Sequence, residues 1–221
     1  MDGNRRWAKK NGKSIPLSHK LGAENAKKIA KAAQELGVKY LTLYAFSTEN
    51  WNRSPSEVKY LMSLLTNYLK SDKNELIESN MRLNIIGDRD KLSKKLIDNI
   101  LKLAEKTKNN TGLLLTIALN YGSRNEIITA TKKITQDILD KKLNLKDIND
   151  KIFSSYLYTN DIPDPDLFIR PGGEYRISNF LLWQIAYSEL YFTEKYWPEF
   201  TKEDLKQAIE EFSNRERRYG K

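Results

Sequence analysis

The chain has 221 residues, no cysteine, one histidine and a net charge of +9. Disulfides, cysteine nucleophiles, thiolate zinc sites and histidine-rich metal centres are thereby excluded, so any metal must rest on oxygen ligands of the kind that suit Mg²⁺ or Ca²⁺. No apolar run approaches the ~20 residues of a membrane span, and the opening MDGNRRW lacks a signal-peptide core, which predicts a cytoplasmic protein.

The length predicts a single domain over residues 1–221. In chain order, residues 21–36 place Ala23, Ala26, Ile29, Ala30 and Ala33 on one helical face, and Gly37 supplies the stop. Residues 38–46 read as a buried strand. Ser54-Pro55-Ser56-Glu57 is a capping box with proline at the first helical position, and it opens a long helix to about Ile77. Strand 81–87, a helix carrying Leu96, Ile97, Ile100 and Ala104, strand 113–120 and a helix carrying Ile127, Ile128, Ile134 and Ile138 follow. A short helix near 147–158 leads to a Pro163-Asp164-Pro165 turn and strand 166–170. Ser178 then reads as the cap of a helix through Glu189, before strand 190–193 and a last helix over 201–218. The alternation implies an α/β fold, with a largely parallel central sheet flanked by helices.

Ligands bind such sheets beyond the carboxyl ends of the strands. The polar segments Ser47–Arg53, Asn120–Arg124 and Arg170–Arg176 all fall there. Ten Lys/Arg against three acidic residues within residues 1–40 suit an anionic partner, whether nucleic acid, acidic membrane or a phosphorylated small molecule. A lysine-rich solvated surface explains the same charge. MDGNRRW (1–7) sets Asp2 beside Gly3, Asn4, Arg5 and Arg6, which suits a diphosphate and equally suits an ordinary turn. AFSTENWNR (45–53) clusters Ser47, Thr48, Glu49, Asn50 and Arg53 with Trp51, either as a site or as a capped loop. Arg170, Gly172, Gly173, Arg176 and Ser178 form a loop suited to oxygen-rich anions, and Glu189 closes an apolar stretch where a lone carboxylate is unfavourable.

These three segments, together with GDRDKL, NNTGLLLTIALNYGSR, WPEF and RERRYG, resemble the signature regions of the cis-prenyltransferases of the undecaprenyl diphosphate synthase type. The resemblance runs over nearly the whole chain. It implies a Mg²⁺-dependent homodimer with a hydrophobic tunnel, which lengthens farnesyl diphosphate with isopentenyl diphosphate to undecaprenyl diphosphate, a peptidoglycan precursor. It implies that Asp2 and Glu189 hold Mg²⁺. Gly3, Asn4, Arg5, Arg6 and Trp7, with His19 nearby, would cradle the allylic diphosphate. Arg170, Arg176 and Ser178 would bind the isopentenyl diphosphate, supported by Glu174. Ser47 and Asn50, flanked by Thr48 and Glu49, would position that substrate and relay its proton. Trp51, Arg53 and Glu57 would belong to a loop closing over substrate, Arg218 would reach a partner subunit, and Ala45 and Leu113 would lie along or at the floor of the tunnel. Product release is expected at the membrane surface.

The rivals are a family member of different product length and a basic nucleic-acid-binding module. The absence of an insertion between Asn50 and Arg82 favours a medium-length product. The clustering of the arginines with Asp2 and Glu174 argues against nucleic acid. Three departures from the family pattern stand out. Ile15 replaces an arginine, with Lys13 as the nearest substitute; Pro171 replaces a hydroxyl residue; and the family's first strand is expected upstream of Met1.

Overall fold

A computed structural model describes residues 1–71 and 77–216. Helices α1 (Asn4–Lys10) and α2 (Ile15–Glu35) precede strand β1 (Tyr40–Ser47), a 3₁₀ turn (Thr48–Asn52) and α3 (Pro55–Ser71). Then come β2 (Arg82–Ile86), α4 (Lys94–Thr107), β3 (Leu114–Tyr121) and α5 (Ser123–Leu139). The chain continues through α6 (Asp150–Ser155), β4 (Leu167–Pro171), β5 (Glu189–Thr193) and α7 (Lys202–Ser213).

Side-chain caps set several helix starts. Ser14, Ser93, Asn149 and Thr201 accept the N–H groups of Leu17, Leu96, Ile152 and Asp204. The Ser14 cap and the following Pro16 start α2 at Ile15, earlier than the alanine stripe alone indicates. The helix expected from Ser178 to Glu189 does not form. Ser178, Asn179 and Leu181 have φ of 52°, 61° and 50°, in the left-handed region where an α-helix cannot propagate, and the segment instead runs as successive turns.

Strands β1, β3 and β2 pair in that order, and β4 pairs with β5; both ladders are parallel throughout. The parallel α/β reading holds, but one sheet becomes two. Neither β1 nor β4 has a second ladder partner among the described residues. Both strands line one elongated cavity of about 1280 Å³, β1 from Tyr40 to Ala45 and β4 with its approach from Asp166 to Pro171. The Met1 amine donates to the Tyr44 carbonyl at one end of this slot.

Alternation along the strands divides the core. Leu43, Leu83 and Leu115 pack on Ile29, Ala30 and Ala33 of α2 and on Trp197 and Phe200. Phe46 and Leu119 meet Leu96 and Ile100 of α4 and, from α3, Val58, Leu61 and Leu65. On the other face Ala118, Tyr121, Phe168, Leu181 and Ile185 form a third cluster. The sheets thus deliver Ser47, Tyr121 and Pro171 to one edge.

Candidate active site

At that edge a network of guanidinium groups and carboxylates is built around Asp2. Asp2 Oδ1 accepts the Gly3 N–H at 2.6 Å, and Oδ2 accepts Arg170 Nη2 at 2.8 Å and pairs with Arg6 Nη2 at 3.0 Å. Burial alone would raise the Asp2 pKa, but the Arg170 bond, the Gly3 N–H and the Arg6 charge bring it below the usual carboxylate value. Arg6 Nη1 reaches Glu174 Oε1 at 2.8 Å, and Arg176 donates to the other Glu174 oxygen. Arg170, itself buried, also donates to Ser178 Oγ at 2.8 Å and to the Arg176 carbonyl. Its Nε is buried with no hydrogen-bond partner, a donor awaiting an acceptor. Two glycines make this packing possible. A Cβ at Gly3 (φ 95°) would lie 2.8 Å from the Tyr196 ring, and one at Gly172 (φ 105°) would lie 3.0 Å from Arg6 Nη2.

A second network centres on Glu57 at the start of α3. Glu57 Oε1 accepts Arg53 Nη1 at 2.9 Å and lies 3.2 Å from His19 Nε2, while Oε2 is 3.8 Å from Arg5. One carboxylate therefore joins α1, α2 and α3. Burial lowers the His19 pKa more than Glu57 raises it; the Glu57 pKa is itself lowered, because His19 and the arginines outweigh its burial.

The 3₁₀ turn supplies the third wall. The Ser47 N–H donates to Asn50 Oδ1 at 3.1 Å. Trp51 Nε1 donates to Asn120 Oδ1 at 2.7 Å, and its ring packs edge-on to Phe46 at 5.1 Å. Asn179 Nδ2 donates to Glu49 Oε1 at 2.8 Å. Burial would raise the Glu49 pKa, but the Asn179 amide and the Ser47 and Thr48 hydroxyls bring it down.

The structure thus gathers Asp2, Gly3, Asn4, Arg5, Arg6 and His19 on the wall of the large cavity, facing Ser47, Glu49, Asn50 and Arg53. Arg170, Glu174, Arg176 and Ser178 complete it. Beside it lies a nearly apolar cavity of about 220 Å³ beneath α2 and α3, floored by Leu115, Ile117 and Leu119 of β3. Asn4, His19, Leu43, Ala45 and Leu61 line both spaces, so the two adjoin across a shared wall.

The family model described as "Putative undecaprenyl diphosphate synthase" matches residues 1–220. The chain belongs to the undecaprenyl diphosphate synthase family. It is 52% identical to an isoprenyl transferase of Clostridium tetani, over all of this chain and 86% of that protein. It is 49% identical to one of Streptococcus pneumoniae, over all of this chain and 89% of that protein. Among solved structures, lavandulyl diphosphate synthase from Lavandula x intermedia, in complex with dimethylallyl diphosphate, superposes with a TM-score of 0.97 at 38% identity, over all of this chain and 95% of that one. A "probable undecaprenyl diphosphate synthase" from Campylobacter jejuni gives a TM-score of 0.80 at 38% identity, over 91% of this chain and 92% of that one. The chain is a prenyl transferase.

Several residues of this prenyl transferase stand elsewhere than expected. Glu189 is the correction of most consequence. It opens β5 opposite Leu167, at the other end of the ladder from Arg170 and Pro171, and accepts Arg215 Nη1 at 2.8 Å, so within one chain it does not meet Asp2. Trp7 points away from the cavity and donates to Glu199 at 2.8 Å. Trp51 is held by Asn120, and Thr48 packs against Gly122; neither lines the cavity. Leu113 is a buried core residue one β-period beyond the apolar cavity's wall, where Leu115 stands instead. Ile15 begins α2 and is not on the cavity wall, and Arg218 lies outside the described residues. Among the described residues the donor set around Asp2 is one carboxylate without a second acid in the same position, which suits a Mg²⁺ ion that keeps waters and takes its remaining ligands from substrate phosphates.

Asn120 opens the polar segment Asn120–Arg124 expected at the strand ends, without an assigned role, and Asn179 was not expected at the site. Each has a left-handed backbone (φ 49° and 61°) and bonds to the 3₁₀ turn. The signal was an asparagine at the end of a strand in one case and immediately after Ser178 in the other.

Proposed function

We propose that this protein is a Mg²⁺-dependent cis-prenyltransferase that condenses farnesyl diphosphate with successive isopentenyl diphosphates to undecaprenyl diphosphate, the carrier lipid of peptidoglycan synthesis. The observation that carries the reading is the adjacency of the two cavities: a mouth of arginines, one with a buried unpaired N–H, lies against apolar space across shared wall residues. An allylic diphosphate has that polarity, with a charged head and a hydrocarbon tail.

In this reading Gly3, Asn4, Arg5 and Arg6, with His19, hold the allylic diphosphate. Arg170, Arg176 and Ser178, braced by Glu174, hold the isopentenyl diphosphate. Asp2 is the residue that would hold Mg²⁺, which when bound neutralises charge on the phosphates. The allylic C–O bond breaks and diphosphate departs, its developing charge met by the guanidinium groups. The isopentenyl double bond attacks the allylic carbon, and a proton leaves the isopentenyl unit to set the new cis double bond. Ser47 and Asn50 stand at the wall where that proton departs. The lengthening tail advances along Ala45 beneath α2 and α3.

Further parts of the reading are a single domain, a cytoplasmic location with product release at the membrane face, and a homodimer in which the C-terminal Arg218 reaches the partner's site. Among the described residues no helix is long and apolar enough to cross a membrane. The superposition on lavandulyl diphosphate synthase favours, as a second reading, a shorter product. Incubation with farnesyl diphosphate, labelled isopentenyl diphosphate and Mg²⁺, followed by chain-length analysis, distinguishes them: a C55 product is expected. Release of short products alone would support the second reading, and no incorporation would overturn both.

A further inference from the structure

Asn179 joins loops that leave three different strands. Its Nδ2 donates to Glu49 Oε1 at 2.8 Å in the 3₁₀ turn after β1. Its Oδ1 accepts the Arg124 N–H and its carbonyl accepts the Ser123 N–H, each at 2.9 Å, at the exit from β3. The three loops meet so closely at Gly122 that a Cβ there would lie 2.5 Å from Thr48 Oγ1 and 2.8 Å from Asn179 Nδ2. The Asn179 peptide is left-handed, and so is that of Ser178 before it. Asparagine tolerates this region better than most residues, yet two in succession persist only where surrounding bonds hold them. Ser178, one residue away, is the acceptor of the Arg170 guanidinium at 2.8 Å. Rotation at residue 179 would therefore carry Ser178 off Arg170 and release Glu49 together.

We propose that Asn179 is a positioning residue that locks the Ser47–Asn50 turn to the Arg170–Ser178 loop, so that two walls built on different sheets meet isopentenyl diphosphate as one preorganised site. The inference rests on the prenyltransferase reading and deepens it. Asn179 stands on the cavity wall with both polar side-chain atoms committed to Glu49 and Arg124, so it acts through its neighbours, and its loss should weaken the binding of the homoallylic substrate more than that of the allylic one.

The experiment is a donor–acceptor swap. Asn179→Asp keeps the size, the tolerance of left-handed backbone and the acceptor for Arg124, but sets a carboxylate against Glu49. Adding Glu49→Gln reverses donor and acceptor and restores an N–H···O bond across the same pair. Asn179→Asp should raise the KM for isopentenyl diphosphate about tenfold and that for farnesyl diphosphate less than about twofold, and the double variant should return the first to within about threefold of the parent, as expected for two directly coupled residues. Hydrogen exchange at residues 47–50 should rise in the single variant and fall again in the double. An unchanged KM in Asn179→Asp, an equal rise for both substrates, or a double variant as impaired as the single would overturn the proposal. A parent that elongates nothing overturns the functional reading instead; the lock then stands if exchange at residues 47–50 follows the swap and falls if it does not.

Discussion

Asp2 accepts two guanidinium groups and a backbone N–H, so its carboxylate is held ionised among the arginines of the cavity wall. Asp2→Ala removes no core packing, and the expected outcome is a fall in kcat on the order of 10²–10³ with an almost unchanged melting temperature, read from Mg²⁺-dependent elongation and thermal denaturation. Retained elongation would place the essential carboxylate elsewhere. The His19–Glu57 pair makes a prediction about pH. His19 is held neutral by burial, its folded pKa lying below the ordinary value of about 6.5. Between those two values the unfolded chain binds the proton more readily, so stability present above about pH 6.5 is lost as pH falls through the folded pKa. The lowered Glu57 pKa acts in the same direction at lower pH, its contribution being lost as that carboxylate is protonated. The melting temperature should therefore begin to decline below about pH 8, where the Met1 amine, its pKa lowered from 8.0 to about 6, contributes, and decline more steeply below about 6.5, where His19 adds to it. His19→Gln, which keeps a donor for Glu57 but cannot titrate, should remove the steepening below about pH 6.5 and leave the parts due to Met1 and Glu57. A parent curve flat to pH 5 would show that His19 titrates alike in both states.

At the level of elements, β1 and α3 determine how far a hydrocarbon tail can go. The β1–β3 register breaks between Tyr44 and Phe46, which leaves Ala45 without a paired residue at the point where both cavities share a wall. Bulges of this kind re-aim side chains at sites. Ala45→Leu adds three heavy atoms to the passage, and the main product should shorten by at least one isoprene unit in a chain-length analysis; an unchanged distribution would remove Ala45 from the tunnel. Leu113 behaves differently from what the family likeness suggests. With Leu103, Leu83 and Met81 around it and 2% of its surface exposed, Leu113→Ala should lower stability by about 2–5 kcal/mol. The β3 residues that touch the cavity are Leu115, Ile117 and Leu119. Strand positions and the cap of α3 were legible in the sequence, because Ser54, Pro55 and Glu57 and the apolar period are local. The bulge and the left-handed run from Ser178 to Leu181 were not, because each exists only where a neighbouring strand or loop supplies bonds from far along the chain.

For the molecule as a whole, the slot between β1 and β4 separates two parallel ladders that face the same cavity. The Met1 amine sits partly buried at its end, and burial pushes that amine's pKa down to about 6. A strand placed in the slot would pair with both β1 and β4 and join the two ladders into one sheet. Each buried apolar side chain of such a strand contributes roughly 1.5–3 kcal/mol and each ladder bond roughly 1 kcal/mol, before the entropy of ordering is subtracted. A chain extended before Met1 by about ten residues of alternating β-branched and small apolar type should melt at least about 5 °C higher and turn over faster, because Asp2 would then be fixed from both sides. Equal melting temperature and turnover with and without the extension would show that the slot needs no strand.

The sequence by itself determined the parallel α/β class, the exclusion of cysteine-based and histidine-rich metal sites, and the three polar segments that form the cavity walls. Those features depend on composition and on signals a few residues apart: the missing cysteines, the strand–helix alternation, and the sets Asp2-Gly3-Asn4-Arg5-Arg6, Ser47–Arg53 and Arg170–Ser178. Tertiary structure alone decided which of the residues meet. Glu189 and Asp2 share a family motif set, yet the register of β4 on β5 puts Glu189 at the far end of the ladder, beside Arg215. Asn179 looked like the start of a helix, and became the joint of three loops because Glu49, Ser123 and Arg124 are brought to it from 130 and about 55 residues away. Local propensity cannot anticipate such bonds, since their partners become neighbours only once the parallel strands have packed.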